Sequence, residues 1–99
     1  MTYANTSDRD DLIRGLRALA DFLSEHPEVP SPRWADLMVF PDGSDSEIQA
    51  EVDEIAAKIG TAITDATHSG GHYSASRAFG PVHYKAVAIP ISARKKANQ

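Results

Sequence analysis

The feature that most constrains this chain is a change of apolar period part-way along it. Leu12, Leu16, Leu19 and Leu23 recur at intervals of four, three and four, and Ile48, Val52, Ile55 and Ile59 repeat the same spacing. That period places each set on one face of a helix. From Thr61 onward the period becomes two, with apolar, hydroxyl and small residues alternating in short runs between glycine-rich turns. Alternation of that kind belongs to strands. A chain that switches from one period to the other is a mixed α and β fold with one sheet and two helices.

The boundaries follow from the punctuation. Ser7 with Asp10 three residues on resembles a capping box, so the first helix is expected from Ser7 to Glu25 or His26, stopped by Pro27. Ile13, Ala20 and Phe22 widen its stripe, while Asp10–Arg14 and Arg17–Asp21 are spaced for ion pairs on the outer face. Gly15 lies beside the stripe, where a helix interior disfavours glycine, and its place suggests close packing against a neighbour. Val29 to Pro32 reads as an extended linker. Ala35 to Phe40 reads as a strand covered on both faces, because Leu37 to Phe40 are consecutively apolar.

Ser44 and Glu47 form a second capping box, and Gly60 stands where a helix C-terminus takes a glycine. Thr61 to Thr67, His72 to Phe79 and Val82 to Ile89 are the remaining strands. They are divided by a His68-Ser69-Gly70-Gly71 loop and a Gly80-Pro81 turn.

The order helix–strand–helix–strand–strand–strand predicts an α+β two-layer sandwich, two helices on one face of a four-stranded mixed sheet. A right-handed crossover makes the first two strands parallel, and the last three form a meander. The first and last strands are apolar on both sides, so they are expected as neighbours, giving the order 2-3-4-1. The expected core holds Leu16, Leu19, Leu23, Val52, Ile55 and Ile59. With 99 residues the chain reads as one domain, ordered over about 7–91, with a flexible basic tail at 92–99.

Absent residue types exclude several chemistries. There is no cysteine, so disulfide scaffolds, thiolate metal sites and cysteine nucleophiles are out. No apolar run is long enough to span a bilayer and no signal peptide opens the chain, which leads us to expect a soluble, cytoplasmic protein with no membrane contact. Residues 1–60 carry thirteen acids against five bases, and residues 61–99 one acid against five bases. We read that asymmetry as solvated faces.

Two short segments carry a resemblance. Leu16-Arg17-Ala18-Leu19-Ala20-Asp21-Phe22-Leu23 followed by His26-Pro27, and Phe79-Gly80-Pro81-Val82-His83-Tyr84-Lys85-Ala86-Val87-Ala88, resemble the opening and closing of small uncharacterised α+β proteins of actinobacteria and their phages or mobile elements. The resemblance covers about residues 10–90. It implies no activity, and no residue role comes with it.

His68 and His72, with Asp65 upstream, have donor types that suit a metal, but the intervening glycines make a loop that does not fix the imidazoles. The same loop leads into a strand and not a helix, so it is a poor phosphate cradle. No nucleophile elbow or metalloprotease motif is present, and we expect neither a catalytic residue, a metal nor a cofactor. Arg77 is the misfit in the otherwise apolar row Tyr73, Ala75, Arg77, Phe79 and is read as an edge arginine or a contact for an anion.

The opposite sheet face is expected to carry His83, Lys85, Val87 and Ile89. Beside them should stand one alternating pair of the first strand, Met38 and Phe40 or else Leu37 and Val39. Such a half-apolar face either marks an interaction site or is covered by the tail from Pro90, and we favour the interaction site. The expected function is therefore a non-catalytic protein-interaction domain that self-associates, as a homodimer or with a protein partner, through that face. The alternative is a weak nucleic-acid binder using the same face and the tail, which an acidic pI of about 5.4 disfavours.

Overall fold

The computed structural model describes residues Tyr3 to Pro90, in two compact units, Tyr3–Arg33 and Trp34–Gln99, the second described as far as Pro90. The expected basic tail lies outside the described residues. The elements are α1 (Thr6–Glu25), β1 (Ala35–Val39), α2 (Asp45–Ile59), β2 (Ile63–Asp65), a single 3-10 turn (Thr67–Ser69), β3 (Tyr73–Phe79) and β4 (Val82–Ala88). Two helices and a four-stranded mixed sheet make an α+β architecture.

The first unit is α1 with the segment that follows it. The N-cap is not Ser7 but Asn5, two residues earlier, whose side-chain oxygen accepts the Asp8 N–H at 2.8 Å. Asparagine is as good a cap as serine, and Thr6 and Ser7 fit the first turn. Arg14 pairs with Asp11, three residues before it, and not with Asp10. Before Pro27, His26 closes the helix, its N–H bonded to the Phe22 carbonyl and its ring tilted against that of Phe22 with centroids 4.5 Å apart. None of its residues is buried: Leu12, Ile13, Leu16, Leu19 and Phe22 are all exposed, Leu19 by 54%. The expected burial of Leu16, Leu19 and Leu23 is therefore not found. Periodicity shows that a stripe exists, whereas burial depends on what is laid against it.

The second unit contains the core. α2 begins at a complete capping box: the Glu47 N–H donates to Ser44 Oγ at 3.3 Å and the Ser44 N–H donates to Glu47 Oε1 at 3.0 Å. Gly60 ends it in the left-handed region, φ 72°, which a glycine adopts without strain. The sheet order is β1-β4-β3-β2, with β1 parallel to β4 and the remaining pairs antiparallel. This is the expected order read from the other edge.

The Gly80-Pro81 turn sets Phe79 opposite Val82, Arg77 opposite Tyr84, Ala75 opposite Ala86 and Tyr73 opposite Ala88, as its two-residue length requires. Ala75, Ala86 and Ala88 give α2 a flat floor. Ile48, Val52, Ile55 and Ala56 descend onto it, flanked by Val39, Ile59, Ile63, Tyr73 and Tyr84. Val52 and Ile55 are buried as expected, and Ile59 stands half-buried at the margin.

β2 is shorter than the expected Thr61 to Thr67. The Asp65 carboxylate accepts the Thr67 N–H at 3.0 Å and the Thr67 hydroxyl at 2.6 Å, which turns the chain out of the strand. The same bonds, the hydroxyl first, hold the Asp65 carboxyl below its ordinary pKa.

Ile48 is 1% exposed at the centre of this packing. Ile48→Ala is expected to lower the free energy of unfolding by about 2–5 kcal/mol through lost transfer energy and a residual cavity. Ser44→Ala, which removes one cap bond at the helix start, is expected to cost about 1 kcal/mol. Chemical denaturation followed by circular dichroism measures both. Equal, small losses from the two would show that α2 is not the packing element of this unit.

Candidate functional site

The two faces of the sheet differ in chemistry because the side chains alternate. On the α2 side stand Leu37, Val39, Tyr84, Ala86, Tyr73, Ala75 and Ile63. The register then sends Asp36 and Met38 of β1, His83, Lys85 and Val87 of β4, Ser74 and Ser76 of β3 and Thr64 of β2 to the other side. This resolves the β1 pair in favour of Met38. Within the second unit no helix covers that face.

At its centre is a cross-strand cluster. Asp36 lies directly beside His83 in the parallel register, with Lys85 two residues further along β4. His83 Nδ1 is 3.0 Å from Asp36 Oδ1, and Lys85 Nζ donates to Asp36 Oδ2 at 2.9 Å. All three side chains are partly buried, Asp36 the most. The Lys85 hydrogen bond, followed by that of His83, holds the Asp36 carboxyl below the ordinary carboxylate value of 3.8. A charge that strand burial would otherwise penalise is thereby matched on both oxygens.

Around the cluster the floor is small and hydroxylic. A shallow groove of about 440 Å³ runs past Met38, Thr64, His72, Ser74, Ser76 and Lys85. At the Val87 end a second groove, of about 330 Å³, is lined by Phe40, Pro41, Asp42, Val87 and Ile89. Met38 is 46% and Phe40 43% exposed, whereas Val87 is only 5% exposed. Val87 was expected on the contact surface; it lies on the expected face but is enclosed, so its side chain belongs to the packing of the chain. Ile89 is half-buried beside it.

The remaining candidates separate. Arg77 lies on the α2 side, where Nη1 donates to the carbonyl of Ile59 at 3.4 Å and the guanidinium stands 5.0 Å from the centre of the Phe79 ring. Its partner is the C-terminal end of a helix, whose exposed carbonyls favour a cation. His68 falls in the 3-10 turn and His72 beyond it, in place of a simple hairpin loop. Among the described residues no three histidines or acids come together as a metal cage, and no helix is long and apolar enough to cross a membrane.

Sequence reasoning missed two polar contacts. Asp36 stands in an apolar strand, and only the β1–β4 register sets it against His83 and Lys85. Tyr73 was read as a face residue, but its hydroxyl donates to Asp53 on α2 and ties the helix to β3. That bond, with burial and the negative charge of Asp53 added, pushes the Tyr73 phenol up to about 12.

Comparison of the chain with protein-family models, with curated proteins and with solved structures finds no match in any of the three.

Two pH windows follow from the pairs. A phenol raised in the folded state stabilises fully below the ordinary tyrosine value of 10 and loses that contribution as pH rises toward about 12. Tyrosinate absorbance, assigned by difference from Tyr73→Phe, should place the Tyr73 phenol well above the ordinary value of 10, and Asp53→Asn should return it toward that value. Asp36 has the opposite sign: its contribution is complete above 3.8 and is lost as pH falls through its lowered value. The melting temperature of Asp36→Asn should therefore fall less steeply below pH about 4 than that of the parent. An unchanged acid slope would show that the cluster does not form in solution.

Proposed function

We propose that the chain is a non-catalytic protein-interaction domain that self-associates through the open face of its sheet. The observation that carries this reading is the pair Met38 and Phe40. Two large apolar side chains stand about half exposed at the edge of a face that α2 does not cover. Exposed apolar side chains beside a small-residue floor favour contact with another surface.

Two further features support it. Asp36 is already paired with Lys85 and His83, so docking does not strip an unmatched carboxylate of water. Thr64, Ser74 and Ser76 are short, so a second surface can approach the sheet closely. A second copy is the occupant we assign, since a two-fold contact makes one patch serve both sides. A cytoplasmic setting fits the cysteine-free composition.

The register bears on the nucleic-acid alternative. Sheet platforms for single strands use aromatics that stack bases. Tyr73 and Tyr84 both lie on the α2 side, and Tyr73 is bonded to Asp53. Residues 34–90 carry eight acids against three bases. Arg94, Lys95 and Lys96 lie outside the described residues.

Light scattering at high micromolar concentration tests the reading. The parent is expected to weigh more than one chain, and Met38→Lys and Phe40→Lys to lower that mass with circular dichroism unchanged. Val87→Lys is not the same test. A lysine at a position only 5% exposed is expected to lower the melting temperature through charge burial. A monomeric parent, or lysine variants that keep the parent's mass, would sink self-association through this face. A salt-dependent shift with single-stranded DNA or RNA would turn the reading toward its alternative.

A further inference from the structure

The widest run of exposed apolar side chains is on α1 and not on the sheet. Leu12, Ile13, Leu16, Leu19 and Phe22 are each between 38% and 54% exposed along one side of a 20-residue helix that buries nothing. Most of the stability of such an amphipathic helix in a protein comes from what its apolar face meets.

The spacing is that of a coiled-coil seam. Leu16 and Leu23 occupy one core position of successive heptads, and Leu12 and Leu19 the other. The positions that flank such a seam hold Ile13 and Ala20 on one side and Gly15 and Phe22 on the other. Each flank therefore has one large and one small residue. Gly15 is open: a Cβ built there meets nothing within 4 Å. The close neighbour that a glycine in this place suggests is not found beside it.

We propose that two copies of the chain pair through α1, antiparallel, with Leu12 on the partner's Leu23, Leu16 on the partner's Leu19, and Phe22 seated over the partner's Gly15. The two-fold axis that makes the leucine pairs also sets Ile13 against the partner's Ala20, so both flanks match a large side chain to a small one. A parallel pair does the reverse. It sets Gly15 against the partner's Ala20, leaving a gap, and Ile13 against the partner's Asp8, a carboxylate in the first turn. It also brings the two acidic helix starts together. The antiparallel pair separates them, opposes the helix dipoles and sets Arg9 against the turn that carries the partner's Glu28.

Area sets the strength. Five half-exposed side chains offer about 400 Å² per copy, against the ~800 Å² per partner of a standard interface. The pair is therefore a weak, reversible dimer. It lies on a different element from the sheet face and does not rest on the reading proposed for that face.

Because the chain has no cysteine, single-cysteine variants give a clean test. Leu12→Cys and Leu23→Cys are mixed under mild oxidation. The antiparallel seam predicts the mixed disulfide and loss of either homodimer, with Met38→Lys in the same background leaving the mixed disulfide intact. Gly15→Leu adds a side chain into open space in the single chain but fills the slot for the partner's Phe22. It is expected to keep or raise helicity while the mixed disulfide is lost. Leu12→Cys homodimers that form as fast as the mixed species would overturn the orientation. A mixture no more cross-linked than an Arg14→Cys control, on the opposite side of the helix, would overturn the pairing itself. A Gly15→Leu variant that still cross-links would overturn the Phe22 seat.

Discussion

The second unit depends on the seating of α2 on an alanine floor. Ile48 and Val52 are the largest fully buried side chains among the described residues, and they pack with Ala75, Ala86 and Ala88. The floor is flat because these alanines alternate on two strands held in register by a two-residue turn. Large residues there would raise the helix and open voids on both sides of it. The sheet therefore contributes few large side chains to its own core, and the helix supplies the volume. The polar tie from Tyr73 to Asp53 lies at the margin of this contact and fixes where along the sheet the helix settles.

That packing explains which parts of the fold were legible in the residues. Parity is robust: once Gly80-Pro81 closes a tight hairpin, every β3–β4 pair follows, and the division of Arg77 and Tyr84 from Ser76 and Lys85 follows with it. The capping box at Ser44 and the glycine at position 60 set the ends of α2 through short-range bonds alone. Less legible were choices among near-equal local alternatives. Asn5 and Ser7 are both good N-caps, and the free energy between them is small compared with that of a helical turn. β2 stops early because Asp65 bonds to Thr67, a competition between side chain and ladder that periodicity does not register.

The candidate site was half visible for a related reason. Alternation within β1 left the pair Met38 and Phe40 or the pair Leu37 and Val39 open, whereas alternation within β4 placed His83 and Lys85 on one face. Asp36 joins them only through the pairing of β1 with β4, two strands separated by α2, β2 and β3. A parallel register of that kind is set by the crossover as a whole, and no local pattern in either strand encodes it. Val87 shows the opposite limit. Alternation put it on the right face, but alternation does not register that Val87 is only 5% exposed there.

The leucines of α1 show how far periodicity reaches. A stripe at heptad spacing states that a side chain row will be covered, and in a short chain the nearest cover is the core, so Leu16, Leu19 and Leu23 read as core residues. Their exposure removes that inference but leaves its premise, since the free energy of an amphipathic helix still comes from its apolar face. What discriminates among covers is then the fine structure of the stripe. A helix laid on a sheet needs only a broad apolar band, and small residues beside it gain nothing from a particular spacing. A helix laid on itself, reversed, needs large and small flanking residues to exchange places about a two-fold axis. Ile13 with Ala20, and Phe22 with Gly15, have that exchange.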